Sequence, residues 1–518
     1  MRSGVMSCVV SVLVAVACGS APLSTAHAQA KGAQITISQT ADTETLDPGK
    51  TTLILNVNLM FNLYDTLTRW DAGLKLQPGL ATAWKNVSDT VWEFTLRQGV
   101  KFHDGTPLTA EDVKATLDRL MTPGKTLYQT SFATVSAVEI TSPQTIRVVT
   151  KNPDSLLPVR MAQMGSQIIP ARFARSDAGG AELARKAVGT GAYKLAEWVK
   201  DEQMVMDANK EWWGWDGKPP AIERVIWKPI PDDFARVSAL ERGEVDIITN
   251  VPPDHVKGIR DGRDTRILTI PSTRTVIFSM NASQPPLSDK RVRQALHYAV
   301  DVPSIVKNLF AGQGKLMSGM LADTDFGYNP QLKPYPYDPA GAKRLLAEAG
   351  YGSGIDVTLY AGSGTMVNDK QLLEAIADMW SKVGVRAKVQ MLEMAQRSKM
   401  NNERLVPPNS MLLTTPQSTL LDADGSVWRL LHPTGLWGKH WAGSQPGQRF
   451  YELMEQARVS LDQRKRKALY TEATQILHEE KPYLELFQEV LTYGTSKRVT
   501  FKPRPDYRLI VSEMTATP

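Results

Sequence analysis

The chain has 518 residues, 42% of them hydrophobic, and a formal net charge of +6. This length predicts roughly two to four domains with sizeable cores. Basic residues are mixed with acidic ones and are not interleaved with aromatic residues, which argues against a nucleic-acid partner. The densest basic run, residues 463–467, is interpreted as a solvated helix face.

The N-terminus has the layout of a secretory signal peptide. Arg2 provides a positive start, residues 5–17 form an apolar stretch, and Ala26 and Ala28 form an A-x-A cleavage site. The apolar stretch is too short to span a membrane. We therefore predict that residues 1–28 are a signal peptide, cleaved after Ala28 or, alternatively, two residues later, and that the mature protein is exported.

Both cysteines, Cys8 and Cys18, lie near this N-terminal end. A mature chain without cysteine has no disulfide, thiolate metal site or cysteine nucleophile. The alternative is a bacterial lipoprotein cleavage site, in which Cys18 becomes a lipidated N-terminus. Ala15 then stands where leucine is usual.

The rest of the chain alternates strand-like and helix-like segments, which predicts a multi-domain α/β protein. Apolar residues with a period of two predict strands at residues 34–38, 91–96, 146–149, 203–206 and 276–280.

The stretch VKFHDGTPLTAEDVKATLDRL, residues 100–120, has the residue types of a catalytic or metal-binding loop. Asp104 with the following glycine favours a turn, and Thr109 with Asp112 matches a capping box. His103 has no second ligand at a metal spacing. We interpret the stretch as a strand, a turn and a capped helix, and predict no site residue there.

Helix starts are also marked in the second half of the chain. Asp338 can cap a helix that has Pro339 in its first turn. Ser288 or Asp289 can begin another helix, and residues 369–383 have apolar residues at helical spacing. The Trp-rich stretch 198–231 is predicted to pack a loop onto a core, with ligand stacking as the alternative.

No catalytic or cofactor motif is found. The chain lacks G-x-S-x-G, H-E-x-x-H and Walker A patterns, and residues 188–194 lack the third glycine of a dinucleotide fingerprint. His432 and His440 lie among three tryptophans, which predicts a polar-aromatic ligand wall, with a metal or cofactor pocket as the alternative. We predict a protein that is not an enzyme and has no cofactor. A secreted hydrolase is disfavoured because no nucleophile-base motif is present.

Several long motifs occur in an order that resembles one family. They are residues 76–84 (LQPGLATAW), 96–113 (LRQGVKFHDGTPLTAEDV), 188–194 (VGTGAYK), 240–246 (LERGEVD), 286–296 (PLSDKRVRQAL), 337–351 and 464–477. Together they closely resemble the bacterial extracellular solute-binding proteins of family 5, the dipeptide-, oligopeptide-, glutathione- and nickel-binding proteins of ABC importers.

The resemblance implies an α/β, two-lobe periplasmic-binding-protein type II fold that closes on its ligand by hinge bending. Lobe I would comprise residues 31–275 and 488–518, with an inserted subdomain at about residues 62–185, and lobe II residues 276–487. It also implies a periplasmic monomer that delivers its ligand to permease subunits of an ABC importer in the inner membrane.

The ligand class is less constrained. In dipeptide-binding relatives, an Asp in a "G-D-P-D"-like stretch of lobe II holds the ligand's amino group. The corresponding stretch is LLDADGSVW, where Asp422 or Asp424 beside Trp428 could anchor an ammonium group by charge-assisted hydrogen bonding and cation–π contact. The alternative reading is a surface turn with a helix cap at Asp424.

Dipeptide binders also hold the ligand carboxylate with an Arg that is absent from the corresponding residues 360–365, YAGSGT. Backbone amides of this glycine-rich loop could still bind an anion or a sugar hydroxyl. The candidate ligand-binding residues are Asp422, Asp424, Trp428, Tyr360, Ser363, Thr365, His432, Trp437, Ser166 and Gln167. We predict a short peptide or peptide-like solute, with a nickel chelate, haem, an opine or an oligosaccharide as alternatives.

Overall fold

The computed structural model describes Met1 and residues 33–433, 435, 437–441 and 443–517. Apart from Met1, the predicted signal peptide lies outside the described residues, as do its cleavage site and Cys18. Within the described part of the chain, no helix is both long and apolar enough to cross a bilayer.

Strands and helices alternate along the chain. The strands are β1 (Ala33–Gln39), β2 (Thr68–Trp70), β3 (Leu76–Pro78), β4 (Ala81–Ser88), β5 (Val91–Leu96), β6 (Val135–Ser142), β7 (Thr145–Thr150), β8 (Tyr193–Val199), β9 (Gln203–Ala208), β10 (Ile222–Pro229), β11 (Ile247–Ile248), β12 (Thr265–Met280), β13 (Gly314–Leu316), β14 (Ile355–Gly362), β15 (Val385–Leu392), β16 (Ser410–Thr414), β17 (Tyr483–Ser496), β18 (Val499–Thr500) and β19 (Thr515–Ala516). The α-helices are α1 (Ile54–Leu63), α2 (Ala110–Met121), α3 (Leu157–Arg160), α4 (Ala171–Ala174), α5 (Asp177–Leu183), α6 (Asp233–Glu241), α7 (Val256–Asp261), α8 (Lys290–Tyr298), α9 (Val302–Leu309), α10 (Pro339–Glu348), α11 (Asp369–Ser381), α12 (Met394–Asn402), α13 (Arg429–Leu431), α14 (Gln445–Arg458) and α15 (Gln463–Glu480).

One mixed sheet takes its strands from residues 33–496. Its strand order is β15-β14-β16-β12-β17-β11-β1-β10-β9-β8, and β13 pairs with β17. β1 is parallel to β10 and β11, and β14 is parallel to β15 and β16. The antiparallel pair β12 and β17 joins these two parallel groups, and its register shifts between Pro271 and Thr275.

A second, four-stranded antiparallel sheet has the order β4-β5-β7-β6. Its inner face packs with α2 around Phe94, Val113 and Ile146, all three of which are fully buried. This hydrophobic cluster draws its members from residues 67–168, which lie within the predicted subdomain of residues 62–185.

The other hydrophobic clusters also separate along the predicted boundaries. Two clusters draw only on residues 276–487, around α8–α11 and around α14 and α15. A third combines residues 35–247 with residues 491–514. The predicted boundaries, 275/276 and 487/488, fall inside β12 and β17. The division into lobes stays a prediction, and the separation of cores agrees with it.

Local sequence signals explain most of the elements. All five predicted strands are present, and the caps form as expected. The Asp338 carboxylate accepts from the amide of Gly341 at 2.8 Å. Asp289, not Ser288, caps α8 by accepting from the amide of Arg291 at 2.8 Å. The predicted helix of residues 369–383 ends two residues earlier, at Ser381.

The stretch of residues 100–120 contains the predicted turn and capped helix, but in place of the predicted strand it has only an isolated bridge between Lys101 and Pro107. Asp112 accepts hydrogen bonds from the amide and the hydroxyl of Thr109, at 2.8 and 2.7 Å. The Nε2 of His103 lies 3.1 Å from the carbonyl oxygen of Gly191, and burial lowers the pKa of His103 to about 4. A neutral histidine therefore fastens this turn to the VGTG segment.

The Trp-rich stretch also packs onto the protein, as predicted. The indole N–H groups of Trp212 and Trp213 donate to the buried Asp65 carboxylate at 3.1 and 2.9 Å. Trp215 donates to the carbonyl oxygen of Asn209 at 2.7 Å. These indoles hold the loop in place by hydrogen bonding as well as by burial.

Gly189 is required by a close approach of two backbone segments. A Cβ atom at this position would lie 2.0 Å from the carbonyl oxygen of Leu63. We expect Gly189→Ala to lower the free energy of unfolding by about 3 kcal/mol, because neither backbone segment can move aside. The measurement is urea unfolding followed by circular dichroism. In Gly258→Ala, the matched control on α7, the added methyl meets no atom within 4 Å. This control should gain up to about 1 kcal/mol, and equal behaviour of the two variants would contradict the close-approach argument.

Candidate functional site

A cavity of about 460 Å³ lies between the segment that contains the four-stranded sheet and the second half of the chain. Residues from three separate stretches of sequence, near 70, 155 and 323–467, form its walls. The lining residues are Trp70, Leu74, Ser155, Leu156, Val159, Asp323, Thr324, Asp325, Phe326, Gly327, Tyr328, Pro330, Leu420, Leu421, Asp422, Gln463, Arg466 and Lys467.

The cavity wall holds polar atoms that are buried without a hydrogen-bond partner. They are Ser155 Oγ, Thr324 Oγ1 and Asp325 Oδ1. Because buried polar atoms are normally paired, such atoms mark a place where a bound polar molecule would gain hydrogen bonds. The cavity therefore has the size and the polar groups of a small-molecule site.

Asp325 is the most distinctive group in this wall. Its residue is 5% exposed, and its Oδ2 accepts from the amide of Ala322 at 3.2 Å. Burial raises the pKa of Asp325 to about 7, and the negative charge of Asp422 adds to the rise. The Ser418 hydroxyl lies beside the Asp325 carboxyl, and its interaction with the ionised form opposes part of the rise in the pKa of Asp325. A cationic group brought into the cavity would favour ionisation of this carboxyl.

Asp422, a predicted ammonium anchor, has partners for both carboxylate oxygens. Oδ2 accepts from Arg466 Nη2 at 2.9 Å, and Oδ1 accepts from the Tyr470 hydroxyl at 3.0 Å. Oδ1 also accepts from the amide of Asp424 at 3.0 Å. In this conformation, a ligand ammonium would have to displace one of these partners.

Asp424, the other predicted anchor, lies between two arginines. Its Oδ1 is 2.5 Å from Arg458 Nε, and its Oδ2 is 3.4 Å from Arg160 Nη2. Arg160 is itself paired with Asp154 at 3.2 Å. The alternative reading, a surface turn, is wrong because Asp424 is 4% exposed. The ion pair between Arg160 and Asp424 instead connects the first half of the chain with the second.

Trp428 follows Asp424 by one π-helical turn. Its indole N–H donates to Glu455 at 2.6 Å, and the Arg458 guanidinium lies 3.5 Å from its ring centroid. The ring face is thus already in contact with a protein cation. His432 stacks on the same indole at 4.6 Å between centroids.

The other aromatic and polar candidates are mostly interior positions. Trp437 is 4% exposed and donates to Asn401 Oδ1 at 3.0 Å. Ser166 donates to the carbonyl oxygen of Gln163, and Gln167 accepts from the amide of Gly165, both at 2.7 Å. Trp437 belongs to a hydrophobic core cluster. Among the described residues, no group of three or more His, Cys, Asp or Glu side chains is placed to hold a metal ion.

The loop after β14 does not offer free amides. The amides of Gly364 and Thr365 donate to the Asp369 carboxylate at 2.8 and 3.0 Å, and the amide of Ser363 donates to Leu392 at 2.9 Å. Tyr360 and Thr365 are half-buried, and Ser363 is exposed. These amides already donate to acceptors within the protein, so they are not available to bind an anion as expected.

The structure places two arginines near the ends of β14 and β16 that the sequence motifs did not indicate. Arg397 on α12 packs beside Gly362, where a Cβ atom would lie 2.9 Å from Arg397 Cγ. Its Nη2 donates to the carbonyl oxygen of Leu413 at 3.3 Å. Arg274 on β12 donates through Nε to Thr415 at 3.1 Å. No spacing rule links residues 274 and 397, so this pair is visible only in the fold.

Comparison with known proteins gives consistent matches. Residues 75–436 match the model of the bacterial extracellular solute-binding proteins, family 5 Middle. The glutathione-binding protein GsiB of Escherichia coli (strain K12) is 29% identical over 472 residues, which cover 88% of this chain and 89% of that protein.

Solved structures match over nearly the whole chain. HbpA2 from Haemophilus parasuis has a TM-score of 0.83 at 24% identity, covering 94% of this chain and 100% of that one. The periplasmic binding protein DppA from Helicobacter pylori, in complex with the peptide STSA, has a TM-score of 0.75 at 25% identity, covering 94% and 98%. The predicted fold class, an α/β periplasmic-binding-protein fold, is confirmed.

Proposed function

The chain belongs to the bacterial extracellular solute-binding proteins of family 5, and from this premise we propose that it captures a short peptide or peptide-like solute between two lobes. The family binds solutes and is not catalytic. The work of the protein is therefore selective, reversible capture. We further propose that it acts in the periplasm and delivers the solute to the permease of an ABC importer, as its family implies.

The observation that carries the proposal is the cavity of about 460 Å³ with its unpartnered buried groups. Its walls come from both of the lobes that we propose: Ser155 from the subdomain of lobe I, and Thr324 and Asp325 from lobe II. A solute in this position contacts both lobes and thus favours the closed arrangement over an open one.

The chemistry of the cavity supports an amino-bearing solute. Asp325 is a buried acid that has no basic partner in the described part of the chain, and an ammonium group next to it gains a charge-assisted hydrogen bond. The cavity also contains the apolar side chains of Leu156, Val159 and Phe326. A wall of mixed polar and apolar side chains suits a short peptide backbone with small side chains.

Two of the compared proteins support this solute class by what they bind. GsiB is named as a glutathione-binding protein, and DppA was solved with the peptide STSA. Both ligands have a free amino group and a free carboxylate. We propose the same general class for this chain, without assigning either molecule to it.

The proposed closure of the two lobes is supported by the ion pairs around Asp424. Arg160 shares its guanidinium between Asp154, on its own side of the cavity, and Asp424, on the opposite side. All three side chains are at most 8% exposed, so their attraction is weakly screened. In our proposal this contact forms as the lobes close.

The test is a thermal-shift screen of the mature protein with short peptides, glutathione, opines, oligosaccharides and metal chelates. A peptide-like solute at 100 times its Kd should raise the free energy of unfolding by about 2.7 kcal/mol. Calorimetry should then give one site per chain. If only a sugar or a metal chelate stabilises the protein, the proposed solute class is wrong. Turnover of a model peptide would contradict the binding role itself.

A further inference from the structure

A short irregular stretch interrupts the pairing of β12 with β17, close to the point where the chain passes between the two proposed lobes. The register stops at Pro271 and resumes at Thr275. Residues 272–274, the hinge bulge, therefore lie opposite a single residue of β17, Glu489. The first two residues of the bulge are at most 1% exposed. Because buried backbone groups outside a ladder take other partners, the segments that supply those partners fix the position of the bulge.

The C-terminal segment of proposed lobe I supplies one set of partners. The amide of Thr273 donates to the carbonyl oxygen of Pro505 at 3.0 Å. The Tyr507 hydroxyl donates to the Glu489 carboxylate and lies 3.2 Å from Ser272 Oγ. Burial, and secondly the negative charge of Glu489, raise the pKa of Tyr507 well above its usual value. The hydroxyl therefore keeps its proton and remains a donor at neutral pH.

The backbone of residues 504–508 is itself held in place. Arg504 donates to the Asp506 carboxylate at 3.0 and 2.8 Å, and to the carbonyl oxygen of Trp70, in the cavity wall, at 3.0 Å. Tyr507 has a φ of +66°, in the left-handed region, which a bulky residue adopts only where its surroundings impose it. The Tyr507 side chain is thus directed at the hinge bulge by a fixed backbone that is also bonded to the cavity wall.

Proposed lobe II contacts the same bulge from the other side. The amide of Ser418 donates to the carbonyl oxygen of Thr273 at 3.0 Å. The Ser418 hydroxyl lies beside the Asp325 carboxyl, and the chain continues directly into residues 420–422 of the cavity wall. Thr273 thus bonds to both proposed lobes, through its amide to the C-terminal segment and through its carbonyl oxygen to a segment that forms part of the cavity.

We propose that Tyr507 is a positioning residue for closure of the two lobes, an inference that rests on the proposed capture of a solute between them. Its hydroxyl fixes the hinge bulge through Glu489 and Ser272. The Thr273 carbonyl oxygen is then held where it accepts the Ser418 amide. Without the hydroxyl the bulge takes more positions, and the closed arrangement loses population. Because Tyr507 is not one of the described residues that line the cavity, this loss falls equally on every solute.

The experiment compares wild type with Tyr507→Phe, which removes only the hydroxyl. Tyr193→Phe is the matched control, because it removes another buried tyrosine hydroxyl, one that donates to the carbonyl oxygen of Ile222 at 2.8 Å. Each protein is titrated calorimetrically with the tetrapeptide Ser-Thr-Ser-Ala and with glutathione. Tyr507→Phe should weaken both affinities by the same factor, about three- to tenfold, and the control should leave both unchanged. A loss confined to one of the two peptides means that the hydroxyl contacts the solute, and overturns the positioning role.

A second measurement does not depend on any solute. The predicted mature chain contains no cysteine, so spin labels on Asp89→Cys and Lys388→Cys report one distance across the two proposed lobes. Both positions are exposed, Asp89 in the turn between β4 and β5 and Lys388 on β15, at the edge of the large sheet. Double electron–electron resonance should give a broader distance distribution for Tyr507→Phe than for wild type and Tyr193→Phe. Distributions of equal width in all three proteins overturn the role of Tyr507.

The two measurements separate the inference from the function. Binding of either peptide with equal affinity to wild type and Tyr507→Phe overturns the positioning role and leaves the proposed function standing. A broader distance distribution in Tyr507→Phe, without binding of either peptide to any of the proteins, supports the positioning role and removes the peptide-like solute class.

Discussion

Asp325→Asn is expected to weaken the binding of an amino-bearing solute by about 2–5 kcal/mol, a loss of about 30-fold or more. The reason is that Asp325 is a buried acid of the cavity wall with no basic partner among the described residues, and an amide cannot replace its negative charge. Calorimetric titration at pH 8 measures the effect. The same peptide with an acetylated amino group is the control, because it should bind wild type and variant equally.

The pH dependence follows from the raised pKa of Asp325, about 7. Below pH 7 the carboxyl is protonated in the empty protein, so binding of an ammonium group releases a proton. Affinity should therefore fall about tenfold for each pH unit below 7 and be constant above it. Titrations in two buffers with different ionisation enthalpies measure this proton release. Asp325→Asn should abolish both effects.

The stability of the empty protein provides a check on the same carboxyl. A folded-state pKa above the unfolded value near 3.8 contributes stability below pH 3.8, which is lost as the pH rises through 7. The Tm of Asp325→Asn relative to wild type should therefore increase between about pH 4 and pH 7 and level off above pH 7. A constant difference over this range, together with unchanged affinity, would falsify the anchor role.

Arg466→Met is expected to lower the free energy of unfolding by about 3–5 kcal/mol. Arg466 is 1% exposed and neutralises Asp422, which is itself buried. Its removal leaves an unpaired carboxylate in the core, and methionine fills the space without replacing the charge. Urea unfolding followed by tryptophan fluorescence measures the change.

Arg464→Met is the matched control, because Arg464 is exposed on the same helix, α15. Its substitution should change stability by no more than about 0.5 kcal/mol. Adding Asp422→Asn to Arg466→Met should recover part of the loss by removing the buried charge. If Asp422→Asn alone leaves stability unchanged but weakens solute binding tenfold, then Asp422 is a ligand anchor and the structural role is wrong.

The partners of the candidate anchors Asp422 and Asp424 could not be predicted from the sequence. The resemblance to dipeptide-binding relatives predicts a ligand anchor in LLDADGSVW, and the structure places Asp422 from this stretch at the cavity. It also shows that Asp422 and Asp424 have arginine partners. Those partners are Arg160, Arg458 and Arg466, and no local pattern in the sequence pairs them with these acids.

Arg466 illustrates the physical cause. The basic run of residues 463–467 was interpreted as a solvated face, and four of its five residues are exposed. The fifth turns inward because helical periodicity directs one residue in three or four to the buried side. Helical periodicity identifies residue 466 as the buried position, but only the fold shows that the Asp422 carboxylate lies opposite it.

The sequence by itself determined the α/β class, the family, five of the strands and several helix caps, including the capping box at Thr109. These features depend on neighbours within a few residues or on the order of motifs, and both can be read directly from the sequence. The tertiary structure alone decided which charges are neutralised and which remain available. Arg160 meets Asp424 from 264 positions away, and Arg397 on α12 approaches Arg274 on strand β12. Such pairings are decided by the path of the whole chain, because burial and electrostatics act through space and not along the sequence.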